Sequence, residues 1–174
     1  WEASDESEES IWTQFSYTAF YTPEAASELH ILLPEAGTVL IDDISLQRPG
    51  SPAEHIPNGG FESDTTPWLF QGTHVASRRI DTDAHSGSAC LELNASGGGD
   101  PGVNKIDTDT STTMVAGTYT VSLWAKWIRG SSKLLTRADS RTLPNLSRMH
   151  TLALPAALGT PGRENGARTA LRQV

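Results

Sequence analysis

Runs of β-branched and aromatic residues, IWTQFSYTAFYT at 11–22, ELHILL at 28–33 and TVLIDDISL at 38–46, are cut apart by Pro, Gly, Asn and Asp, and none keeps a helical period. A chain punctuated this way buries its apolar side chains by building sheets, because a period of two puts alternate residues on one face. The rhythm continues near 68–70, then as RRIDTD at 78–83, SACLELN at 88–94, NKIDTDT at 104–110, YTVSLWAKW at 119–127 and SKLLTR at 132–137. The fold class expected is all-β, with strands at the spacing of a sandwich. Pro34-Glu35-Ala36-Gly37 reads as the turn of a hairpin joining 28–33 to 38–46. Residues 49–57, PGSPAEHIP, read as a linker between a first group of strands within 1–48 and a second within 58–137. From Ala138 the pattern fades into an irregular tail, 138–174, polar and with a weak helical tendency at its end.

With 174 residues and 37% hydrophobic content, the chain can bury one sizeable core or two small ones. Its formal net charge is −8 and its Lys and Arg never cluster beyond a pair, which argues against a phosphate-tracking surface and a nucleic-acid partner. The single cysteine, Cys90, stands in the apolar run Ala89-Cys90-Leu91; it excludes an intramolecular disulfide and is expected as a buried thiol. No apolar run reaches the ~20 residues of a membrane span. The opening WEASDESEES is acidic where a signal peptide would be basic, so the chain reads as an excerpt and any targeting signal is expected elsewhere.

Residues that could carry chemistry are numerous but poorly ordered toward any one reaction, and the expectation is that the chain is not an enzyme. The five histidines, at 30, 55, 74, 85 and 150, lack paired metal-ligand spacing, and no serine stands in a nucleophile elbow. Carboxylates are too many to single out an acid pair for glycoside hydrolysis. DTDAHSG at 81–87 has spaced aspartates, yet Ser86 holds the position where a helix-loop-helix calcium loop needs glycine. GGGDPG at 97–102 lacks the Lys-Ser/Thr of a phosphate loop and reads as a flexible surface loop. Two strands are more informative. Alternation along 38–46 puts Leu40, Asp42, Ile44 and Leu46 on one face, so that Asp42 points inward and needs a partner. Alternation along 119–127 sends Tyr119, Val121, Leu123 and Ala125 to the core, and leaves Thr120, Ser122, Trp124 and Lys126 on the polar side. Trp124 could then stack against a pyranose ring, with Ser122 and Lys126 bonding its hydroxyls, or simply cover the sheet. Trp68, after Pro67, is expected as a core plug.

NGGFE at 58–62, Trp68, AHSGSACLEL at 84–93 and AGTYTVSLWAK at 116–126 together resemble the opening two-thirds of a carbohydrate-binding module of the galactose-binding-like jelly-roll class. GTVLIDDISL at 37–46 resembles the strand with which such modules end. The segment from SSKLL to GTPGREN is similar to the region on the C-terminal side of these modules in very large secreted or surface proteins of bacteria, some of which carry lamin-tail-like domains. The resemblance implies a jelly-roll β-sandwich that is a composite of two truncated tandem modules. In it 11–46 would pack with 58–137 as one sandwich, and 38–46 would replace the second module's missing last strand. It implies a non-catalytic module that binds a polysaccharide or glycan, with a structural spacer or adhesion segment as the alternative. An extracellular or cell-surface location and neighbouring domains of a parent chain are implied by the same resemblance. So is a structural calcium, held by Glu62, Asp42, Asp83 and Ser88; the alternative is that Asp42 or Asp43 accepts backbone hydrogen bonds at a strand end.

Overall fold

A computed structural model describes residues 10–21, 27–110, 114–140 and 150–155. Among these described residues ten strands succeed one another in chain order: β1 (Thr13–Tyr21), β2 (Ser27–Leu32), β3 (Gly37–Gln47), β4 (Leu69–Phe70), β5 (Arg78–Ile80), β6 (Cys90–Ala95), β7 (Ile106–Asp109), β8 (Gly117–Gly130), β9 (Lys133–Ser140) and β10 (His150–Ala153). A short 3-10 turn at Gly72–His74 stands between β4 and β5. The fold is a β-sandwich of two five-stranded sheets, ordered β1-β8-β3-β6-β5 and β10-β9-β2-β7-β4, in which every pairing is antiparallel.

Strands from the two sequence groups are interleaved in both sheets. In the first, β3 lies between β8 and β6, with Ile41 opposite Ala125 on one side and Leu91 on the other. In the second, β2 lies between β9 and β7, with His30 opposite Arg137 and Asp107. One core joins them: Leu29, Ile31, Ile106 and Leu134 from the second sheet meet Val39, Ile41, Leu91, Leu93 and Leu123 from the first, all at 0–1% exposure. Burial on this scale contributes about 1.5–3 kcal/mol per large aliphatic side chain. Trp68 joins the same core at 5% exposure, its ring 5.6 Å from that of Phe61 and its Nε1 donating to the Asn58 carbonyl. Cys90 is buried.

Four expectations change. The hairpin across Pro34–Gly37 is absent, because β2 and β3 belong to different sheets and the chain between them is an arch over the end of the core. That arch is tied to the β8–β9 connection, which also crosses between sheets, by the Ser131 N–H donating to the Ala36 carbonyl. A side-by-side hairpin would have separated the two apolar faces that instead meet across the interior. The pattern read as fading at Ala138 continues, since β9 runs to Ser140 and β10 pairs with it, Leu152 opposite Leu134; residues 156–174 lie outside the described residues. The loop at 97–102 is pinned by the Gly99 N–H to the Leu33 carbonyl and by Asp100, whose Oδ1 accepts from Gly102 and Val103. Residues 49–57 are also fastened: Ile56 enters the core, and the Glu54 carboxylate accepts from the N–H groups of Leu46, His55 and Ile56 and from the Ser45 hydroxyl.

Candidate functional site on the outer face of the first sheet

A bulge in β3 between Asp42 and Ser45 shapes this site, with Asp43 in the left-handed region at φ 48°. The extra residue reverses the alternation, so Ile44 and Leu46 face the core while Asp42 shares the opposite face with Trp124, its partner across the ladder. The expectation that Leu40, Asp42, Ile44 and Leu46 lie on one inward face is therefore corrected: Asp42 faces out of the core. It is nevertheless fully buried, at 0% exposure, because the loop 83–88 lies over it.

The bulge also receives NGGFE. Ile44 N–H donates to the Gly59 carbonyl at 3.0 Å, and a Cβ at position 59 would fall 1.9 Å from the Ile44 carbonyl oxygen, so only glycine fits. Phe61 then drops into the core at 0% exposure with φ 54°, its carbonyl and that of Glu62 each held at 2.7 Å by the Arg79 guanidinium.

Three carboxylates, delivered by the bulge and by NGGFE, close on the loop 83–88. Asp42 Oδ2 accepts the N–H groups of His85 at 3.0 Å and Ser86 at 3.2 Å, and its Oδ1 accepts that of Asp43 at 2.8 Å. Burial raises the Asp42 carboxyl above its ordinary value, against the opposing pull of these N–H bonds. Asp43 bonds the His85 ring and the Ser86 hydroxyl, each at 2.7 Å. Glu62 Oε2 accepts the N–H and hydroxyl of Ser88, both at 2.9 Å, and these bonds hold its carboxyl below the ordinary range. The Glu62 carboxylate fills the space where a side chain on Gly87 would stand, 2.1 Å from that Cβ, and Gly87 has φ 61°.

Fastened in this way, the loop lays His85 flat on Trp124, ring centroids 3.7 Å apart and planes 15° from parallel, while Trp12 meets the edge of His85 at 5.7 Å. Asp83 takes the Lys126 ammonium at 2.7 Å. Trp124, Ser122 and Lys126 all lie half-buried on the polar face, where alternation puts them. However, Lys126 is committed to Asp83 and one face of Trp124 is covered. Beyond Trp124 the face continues as uncharged hydrogen-bonding groups in register, Gln14 opposite Trp124, Ser16 opposite Ser122, and Thr18 opposite Thr120 with their hydroxyls 3.1 Å apart.

The four residues expected around calcium are gathered at one loop, but their oxygens are directed at donors of the chain itself. Asp42 and Glu62 are spent on backbone N–H groups and a hydroxyl, Ser88 is one of those donors, and Asp83 already holds an ammonium. This arrangement does not fit a preformed oxygen cage, since an ion would have to displace the hydrogens that occupy it. Thermal melts in calcium and in chelator are accordingly expected to share one midpoint; a midpoint raised by calcium would show that an ion does displace them.

A second polar cluster, which the sequence spacing did not reveal, lies on β2 and β7. Glu28, His30 and Asp107 bring potential ligand atoms within 4.8 Å of one another. Lys105, at 5% exposure, already supplies the positive charge there, its Nζ 2.9 Å from His30 Nε2, 3.7 Å from Asp107 and 3.8 Å from Glu28. His30 Nε2 is also 2.7 Å from Glu28, and it can donate to that carboxylate or accept from the ammonium, not both at once. His74 was equally illegible: fully buried, it accepts the Leu33 N–H on Nε2 at 2.9 Å, which leaves the proton on Nδ1 facing the Thr73 hydroxyl at 3.0 Å.

No protein-family model matches the chain, and no curated protein or solved structure matches it significantly.

Proposed function

We propose that the chain is a non-catalytic carbohydrate-binding module of the galactose-binding-like jelly-roll type, assembled from strands of two tandem modules, whose ligand surface is the outer face of the first sheet. The carrying observation is an aromatic group of Trp12, His85 and Trp124 standing directly beside the uncharged groups of Gln14, Ser16, Ser122, Thr18 and Thr120. Flat rings receive the C–H face of a sugar while neighbouring hydroxyls and amides bond its oxygens. A polysaccharide with many shallow contacts suits such an open face. On the resemblance carried by NGGFE and its companions, the module would serve in a larger secreted or cell-surface chain and present its neighbouring domains to a glycan.

One observation favours the alternative of a spacer: His85 already occupies the face of Trp124 that a sugar would use. Retention of the purified protein on a polysaccharide panel separates the two readings. Under the glycan reading, Trp124→Ala loses retention, and His85→Ala, which uncovers the ring, retains at least as well as the native chain. Should Trp124→Ala fail to fold, Ser122→Asp, which brings a carboxylate onto the hydroxyl row, is expected to abolish retention instead. Native protein that no polysaccharide retains, or retention that survives both Trp124→Ala and Ser122→Asp, overturns it.

A further inference from the structure

A cavity of about 340 Å³ opens between the two sheets at the margin formed by β1 and β9–β10. Tyr17, Tyr21, Tyr119 and His150 supply rings, Leu46 and Met114 an apolar floor, and the described lining contains no Asp, Glu, Lys or Arg. Its two aromatic walls are built independently. On one side Tyr17 stacks on His150, centroids 3.6 Å apart and planes at 15°, joining the edge strands of the two sheets. On the other, Tyr119 meets Tyr21 edge-on at 6.0 Å and His55 at 5.4 Å, and its hydroxyl is fixed by donating to the Val115 carbonyl at 3.0 Å. Ala19, opposite Tyr119 across the ladder, contributes only a methyl group to the described lining, where a larger residue in β1 would fill the space.

We propose that this cavity is a binding site for one neutral, hydroxyl-bearing six-membered ring, either a pyranoside or an aromatic alcohol. Its volume lies at the low end of the ~300–1,000 Å³ typical of small-molecule sites, so it admits one ring rather than a chain. Rings on two walls favour a flat guest with apolar faces. The absence of charge in the described lining disfavours acids and amines, whose desolvation nothing there would offset. Tyr17 provides the orienting contact: its oxygen accepts from the Thr136 hydroxyl at 3.2 Å, so its own hydrogen remains for a ligand oxygen. Of the outer-face groups the cavity shares Thr18 alone, and Trp12, His85 and Trp124 are outside its described lining, so each proposal is tested by its own variants.

The test is a titration of the full chain, monitored by backbone amide chemical shifts, with methyl glucoside, galactoside and mannoside in one arm and benzyl alcohol in the other. Saturable shifts at Ala19, Tyr21, Tyr119 and Val121 are expected in at least one arm, and the responding arm identifies the ring. Ala19→Trp, which fills space in the cavity, should abolish them with the melting midpoint retained, or Ala19→Leu if the larger side chain disturbs the edge. Tyr17→Phe should weaken binding about three- to tenfold, the worth of one hydrogen bond. Trp124→Ala should leave these shifts intact. The proposal is overturned if neither arm gives saturable shifts up to the solubility limit, or if the filled variant binds as the native chain does.

Discussion

Asp42→Ala is expected to lower unfolding stability by about 3 kcal/mol and to free the loop 83–88 from the first sheet. That size reflects three N–H donors, on Asp43, His85 and Ser86, losing one buried anionic acceptor, each such bond being worth about 1.5–3 kcal/mol, less the desolvation cost that the native carboxylate carries. That cost fixes the sign of a pH effect. Because the native carboxyl titrates above its ordinary value, the native state takes up this proton before the unfolded chain does, and Asp42's contribution falls as pH rises through the raised pKa. Urea melts between pH 3 and 7 should show that slope removed in Asp42→Ala. Hydrogen exchange supplies the local readout: amides of His85 and Ser86 should lose protection while those of Leu91 and Leu123 keep theirs. An unchanged midpoint with an unchanged exchange pattern would contradict the clamp.

His74 governs a second large effect, opposite in sign. Burial lowers its pKa from 6.5 to about 4, so the native imidazole stays neutral where the unfolded chain is protonated. The unfolded state then binds more protons between pH 6.5 and about 4, and stability falls as pH drops through that window, by up to about 1.4 kcal/mol per pH unit. The geometry supplies the reason, since a proton on Nε2 would face the Leu33 N–H. His74→Gln offers that N–H an oxygen but cannot titrate. It should be less sensitive to acid over this window, even if less stable at pH 7. A variant that loses stability on acidification as steeply as the native chain would refute the assignment.

Strand positions were legible because their cause is local. Alternation in YTVSLWAKW puts Tyr119, Val121, Leu123 and Ala125 in the core and Ser122, Trp124 and Lys126 outside, as the structure has them. NGGFE marked a place where backbone meets backbone, and Gly59 against Ile44 is that contact. What could not be read depends on partners far along the chain. The two apolar strands flanking Pro34–Gly37 fit a hairpin as well as an arch, and the choice is made by strands after residue 90. A β-bulge has no compositional signature in LIDDIS, so the face of Asp42 came out reversed. His85 reaches Trp124 only through carboxylates at positions 42, 43 and 62 acting together. His74 and the Glu28–Lys105 cluster left no spacing at all, because their members come from different strands and loops.

The interleaving of β1, β2 and β3 among later strands sets a timetable. Tyr21 closes β1 and its partner β8 begins at Gly117, 96 residues onward, so at a synthesis rate of about 5–20 residues per second β1 waits roughly 5–20 s for the strand that pairs with it. During that interval TQFSYTAFY is an uncharged, proline-free, aromatic segment, the composition that pairs indiscriminately with other extended chains. Ahead of it in the sequence, WEASDESEES carries five carboxylates within ten residues. On a nascent chain these act as gatekeepers, since two such segments cannot align their apolar strands without bringing like charges together. Neutralising that run is expected to raise the fraction of chains lost to aggregation before β8 arrives.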